Sequence, residues 1–177
     1  MQNDKVRDLT KMAMCVALCC ATAYISFPLP FTPGYVTALT FALSLTAYLL
    51  TPRQTFTVIL IYILMGAVGL PVFAGGEGLS RLVGPAGGFY FAWIFAYALL
   101  SFFKGSTPNF KRYALTNILI AVPITYLGGI ISMMLVLDVD LRAALTMAVF
   151  PFIPGDLMKA LAAAALGVKL QKILERR

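Results

Sequence analysis

The chain has 177 residues, of which 60% are hydrophobic and only 12% charged, with a net charge of +7 and no histidine. A water-soluble globular domain carries about a quarter of its residues charged, so this balance excludes one and points to an integral membrane protein. Without histidine the commonest general base and metal ligand is missing, and the positive charge has no aromatic-interleaved basic cluster that would suit nucleic acid.

About 20 apolar residues cross the hydrocarbon core as a helix, so the spans are read from the gaps between charges. No residue is charged between Lys11 and Arg53, and the turn Phe27-Pro28-Leu29-Pro30-Phe31-Thr32-Pro33-Gly34 divides that run into spans at 9–27 and 35–51. Further spans are expected at 55–73, 85–103, 113–137 and 154–171, with an outer loop at 138–152 carrying a short helix at 141–150. The expected fold is therefore all-α, a single domain over 1–177 built as a bundle of six transmembrane helices. The first run lacks a clear cleavage site and leads straight into a second span, so it is expected to stay uncleaved.

The first span carries Ala13, Ala17 and Ala21 at a spacing of four, a smooth stripe on which another helix can approach closely. The partner could be a second protein or the chain's own helices. Cys15, Cys19 and Cys20 share this span; Cys15 and Cys19 have helical spacing, but small apolar packing residues are expected rather than a metal site. Ala160, Ala164 and Gly167 form a similar strip in the last span.

With the N-terminus inside, one face collects Lys5, Arg7, Lys11, Arg53, Lys104, Lys111, Arg112, Lys169, Lys172, Arg176 and Arg177, eleven in all, against two, Arg81 and Arg142, on the other. Both termini are then cytoplasmic, anchored by anionic lipid. The Pro-rich turn, the Gly-rich stretch at 74–88 and the start of the last span fall together on the outer side, where a small-molecule pocket is expected. The Gly-rich stretch could act as a lid or as a plain connection. It lacks the Gly-Lys-Ser or Gly-Lys-Thr ending of a phosphate-binding loop, so the chain carries no visible ATPase of its own.

Asp156 and Lys159 stand out because both lie in lipid-soluble sequence, three residues apart and so on one helical face. A charge at the bilayer centre costs at least about 2.5–3.5 kcal/mol, which makes such a residue a candidate working site. The alternative is mutual neutralisation alone. Pro154 suits a first helical turn and Gly155 permits close approach to the backbone. Phe89, Tyr90, Trp93 and Tyr97 are read as packing and interface residues, a few of which line the pocket.

Three stretches in order, Pro71-Val72-Phe73-Ala74-Gly75-Gly76, Gly84-Pro85-Ala86-Gly87-Gly88-Phe89 and Pro151-Phe152-Ile153-Pro154-Gly155-Asp156-Leu157-Met158-Lys159, resemble the BioY family. These are the biotin-specific substrate-binding membrane subunits of energy-coupling factor transporters, and the resemblance covers essentially the whole chain. The family's usual Gly-Pro-Thr-Gly-Gly-Tyr is changed here at Ala86 and Phe89, which removes two hydroxyls; Tyr90 points elsewhere on a helix and is no obvious replacement.

The resemblance implies capture of biotin, with no chemistry on it and no resident cofactor, and release driven by partners: a transmembrane coupling subunit and two cytoplasmic ATPase subunits. Ala13, Ala17 and Ala21 would dock the coupling subunit, whose ATP-driven movement would topple the binding subunit in the cell membrane. Substrate contacts are expected from Asp156, Lys159, Arg81, Gly87, Gly88, Phe89, Tyr90, Phe73, Tyr35 and Phe152. Asp156 could accept a ureido N–H, Lys159 could donate to the ureido oxygen or neutralise the ligand's acid, and Arg81 could clasp the carboxylate or remain a solvated loop charge. An intramembrane enzyme using Asp156 as base and Lys159 as electrophile is the alternative from another class, as is a non-transporting assembly subunit.

Overall fold

Thr51-Pro52-Arg53-Gln54 shows how this chain starts a helix. The Gln54 N–H donates to Thr51 Oγ1 (3.4 Å) and the Thr51 N–H donates to Gln54 Oε1 (3.0 Å), with Pro52 in the first turn. Such a reciprocal cap satisfies donors that a helix start otherwise leaves unpaired. Asn109 and Asp140 do the same one-sidedly, accepting from the Arg112 and Ala143 N–H groups.

The computed structural model describes residues 2–76 and 78–175. Glu77 of the Gly-rich stretch lies outside the described residues, as do Arg176 and Arg177 of the expected inner basic face. In chain order the elements are α1 (Gln2–Ala23), β1 (Ser26–Pro28), β2 (Tyr35–Thr37), α2 (Leu39–Leu49), α3 (Pro52–Ala67), α4 (Leu79–Val83), α5 (Gly87–Phe103), α6 (Phe110–Thr116), a π-helical turn (Asn117–Ala121), α7 (Val122–Leu137), α8 (Leu141–Ala148) and α9 (Ile153–Glu175).

The fold is mostly helical, as expected, but not wholly so. The Pro-rich turn is the tip of a small antiparallel hairpin in which Ser26, Phe27 and Pro28 face Thr37, Val36 and Tyr35. This hairpin takes residues 35–37 from the second expected span, so α2 is only 11 residues long, about 17 Å at 1.5 Å per residue. The third helix stops at Ala67 rather than running to 73, because Gly69 turns the chain at φ 95°. Helix α4 inside the Gly-rich stretch was not expected. Among the described residues, one continuous helix, Phe110–Leu137, is long and apolar enough alone to cross a membrane, and the bent pair α8 and α9 passes the same test together.

Helix α2 is the hub of the bundle, packed against α1, α3, α5 and α9. Its Ala42, Leu43, Ala47 and Tyr48 are fully buried, and the Tyr48 ring stacks on Tyr113 with centroids 4.3 Å apart. Gly167 of α9 receives the Tyr48 ring, so the Ala160, Ala164 and Gly167 strip packs internally. Helices α5 and α7 cross at Gly88 and Gly128, where a methyl group on either would collide with the other's carbonyl.

The connections sort to two ends. At one, Gln54 donates to Asp8 (3.2 Å), Ser101 to the Leu50 carbonyl (2.7 Å), and Arg112 Nε to the Phe103 carbonyl (3.0 Å). Lys104 Nζ also reaches the carbonyls of Ala47, Tyr48 and Leu50 there. At the other, Tyr24 donates to the Pro71 carbonyl, Thr32 to Met147 and Ser132 to Pro85. The hairpin, the Gly-rich stretch and the start of α9 thus share the end opposite the basic one.

Candidate functional site

Helix α9 begins at Ile153, so Asp156 and Lys159 occupy its first turns and project to the same side. Lys159 Nζ lies 2.6 Å from Asp156 Oδ1 and donates to the Thr37 carbonyl at the end of β2 (3.1 Å). Tyr126 of α7 donates to Asp156 Oδ2 (2.9 Å), and Thr40 of α2 to Oδ1 (3.4 Å). Three elements, α2, α7 and α9, therefore converge on the carboxylate of a residue only 8% exposed, and β2 meets its lysine partner. A carboxylate offers about four lone-pair sites and an ammonium three donors, so after these contacts one acceptor site on Asp156 and one N–H on Lys159 are left over.

Asp156 and Lys159 both line a cavity walled by α2, α5, α7, α9 and the hairpin. Small-molecule sites likewise combine apolar walls with a few placed polar groups. Tyr35, Arg81, Phe89, Tyr90, Phe152, Asp156 and Lys159 all line it, so seven of the ten expected contacts come together. Phe89 and Phe152 meet edge to face at 6.3 Å.

Arg81 is no solvated loop charge. Its Nη2 donates to the Ala74 carbonyl (2.5 Å), and its guanidinium sits 5.1 Å over the Tyr35 ring. Gly75 makes room for that ring: at φ 73° it adopts a backbone that favours glycine, and a side chain there would strike Tyr35. The Gly-rich stretch thus fits over the hairpin and carries Arg81 and Ala74 to the cavity wall.

Three expected contacts lie behind the wall. Phe73 packs edge to face on Tyr62 at 5.6 Å and against Tyr90 at 4.5 Å, with its ring over Gly66. Gly88 serves the crossing with Gly128, and Gly87 lies against the Leu82 carbonyl. Glycine permits close approach whether the neighbour is a ligand or a helix; here it is backbone. Tyr90 and Phe89, neighbours in the first turn of α5, both line the cavity.

Several wall residues were not foreseen, namely Thr40, Thr125, Tyr126 and Ala86, and Trp93 is one of the packing aromatics that does line the pocket. Thr40 and Tyr126 carry a weak signal, being polar groups in apolar spans. Ala86 stands in the wall where the resembled motif has threonine, so one missing hydroxyl is a missing wall group. On the outside, Ala13, Ala17 and Ala21 are all exposed along α1, so the stripe does not pack against the chain's own helices. Cys15 and Cys19 are buried in apolar surroundings.

Residues 1–176 match the BioY family. The chain belongs to that family. Among similar proteins, the biotin transporter BioY2 of Lactococcus lactis subsp. cremoris (strain MG1363) is 33% identical over 180 residues, covering 98% of this chain and 95% of that one. The biotin transporter BioY of Thermotoga maritima is 31% identical, covering 95% and 98%. The crystal structure at 2.1 Å of the S-component for biotin from an ECF-type ABC transporter superposes with TM-score 0.90 at 26% identity, over 97% of this chain and 94% of that one. The BioY relatives and this structural neighbour are transport components, which removes the enzyme alternative.

Proposed function

We propose that this chain binds biotin in the cavity of Asp156 and Lys159 and is the substrate-specific component of an energy-coupling factor transporter in the cell membrane. One observation carries the reading. Asp156 and Lys159, 2.6 Å apart and each with one hydrogen-bonding position unused, line a mostly apolar cavity in a chain whose fold is that of an S-component for biotin. A ureido group presents an N–H donor beside a carbonyl acceptor and fits that pair. Biotin's valeryl chain runs along Phe89 and Phe152, and its carboxylate meets Arg81.

The six spans are α1, α2 with its hairpin, α3, α5, the continuous helix 110–137, and α9, with both termini on the cytoplasmic side. The gathering of basic residues at the end away from the cavity supports this orientation. The exposed stripe of Ala13, Ala17 and Ala21 docks the transmembrane coupling subunit, which in turn engages two ATPase subunits.

Calorimetry of the detergent-purified chain tests the substrate. Biotin binds one to one and is recovered unchanged, whereas riboflavin produces no binding heat. No heat with biotin would contradict the proposal.

A further inference from the structure

Buried polar atoms in folded proteins nearly always have hydrogen-bond partners, so the exceptions are informative. Among the described residues four buried side-chain atoms lack one: Arg81 Nε, Trp93 Nε1, Thr125 Oγ1 and Gln171 Oε1. Three of these four residues line the same cavity. Arg81 is already placed at the carboxylate end. Trp93 and Thr125 are 7% and 6% exposed, no protein group completes their bonds, and both residues line the cavity.

We infer that Thr125 and Trp93 complete their hydrogen bonds on the bicyclic head of the substrate, which makes them specificity-determining residues; this rests on the biotin reading above. Thr125 is next to Tyr126, the donor to Asp156. It lines both this cavity and a smaller adjoining one that also touches Ser44, Tyr97 and Asn117.

Matching donors to acceptors fixes the roles. The head offers two ureido N–H groups, one ureido oxygen and one thioether sulfur. Asp156 has one acceptor site left and takes one N–H, and Lys159 takes the oxygen. The second N–H therefore goes to Thr125 Oγ1. Trp93 Nε1–H is only a donor; the ureido oxygen keeps a second lone pair and the sulfur is a weak acceptor, and we assign Trp93 to the sulfur, which no other group takes.

The test is a titration of the full chain with biotin and with dethiobiotin, which keeps the ureido group but lacks sulfur. Thr125→Val weakens both ligands equally, by about 5- to 30-fold, and Thr125→Ser restores both. Trp93→Phe weakens biotin about three- to tenfold and leaves dethiobiotin within about twofold. Trp93 is the chain's single tryptophan, so its emission in the unsubstituted protein shifts on biotin binding. Without ligand, Thr125→Val melts at or above the unsubstituted temperature, because an unpaired buried hydroxyl is replaced by a group of similar volume that needs no partner. A purely structural Thr125 would lower it.

Unchanged biotin affinity in Thr125→Val, with Asp156→Asn still defective, overturns the Thr125 assignment while sparing the biotin reading. Equal losses of both ligands in Trp93→Phe overturn the sulfur assignment. No biotin binding by the unsubstituted chain overturns the inference together with the reading beneath it.

Discussion

Lys159 Nζ bridges the carboxylate of Asp156, 2.6 Å away on the same helix, and the backbone carbonyl of Thr37, 3.1 Å away at the end of the hairpin. The ion pair therefore ties α9 to the hairpin at the cavity wall, and in the proposed complex the substrate's head would meet a pair already held in place. Preorganisation of this kind spares the ordering cost that binding otherwise carries.

Removing one partner leaves the other buried and uncompensated. Asp156→Asn and Lys159→Ala are each expected to weaken biotin binding by about 2–5 kcal/mol. Tyr126→Phe removes a donor to the same carboxylate and should cost about 1.5–3 kcal/mol. Calorimetry of the three variants, with melting curves to show that each stays folded, checks the order.

The helix crossing at Gly88 and Gly128 leaves no room for a methyl group, since each backbone meets the other's carbonyl. Gly88→Ala should destabilise the protein by about 1–3 kcal/mol, read as a lowered melting temperature in detergent. Biotin affinity should also fall, because α5 carries Phe89 and Tyr90 into the cavity wall.

Lys104 closes the C-terminal end of α2 by donating to three carbonyls, those of Ala47, Tyr48 and Leu50. A cation there also complements the helix dipole. Lys104→Met should lower the melting temperature, at a cost of about 1.5–3 kcal/mol for the lost charged hydrogen bonds, and leave biotin affinity unchanged because the residue is at the far end of the bundle.

Ala17 is exposed on α1, so a large residue there disturbs nothing inside the chain. Ala17→Trp should abolish co-purification with the coupling subunit and spare biotin binding. Loss of both would contradict a surface role for this position.

What the sequence revealed and what it concealed follow from the chemistry of each residue. Asp156 and Lys159 were visible because charge in apolar sequence is costly and needs a reason. Thr40, Thr125 and Tyr126 were not, because threonine and tyrosine are ordinary in membrane helices and only the fold brings Thr40 and Tyr126 to one carboxylate and Thr125 to the same cavity. Trp93 read as an interface anchor for the same reason. The hairpin was hidden because Pro28, Pro30 and Pro33 signal a turn without showing that the flanking residues pair. Phe73 was assigned to the ligand from its motif, whereas its ring fills the notch left by Gly66.

A crystal structure of the chain with biotin bound is the most direct test. It should place one ureido nitrogen within hydrogen-bond reach of an Asp156 oxygen and the ureido oxygen within reach of Lys159 Nζ. Biotin bound elsewhere, with those two side chains in contact only with each other and their present neighbours, would contradict the account.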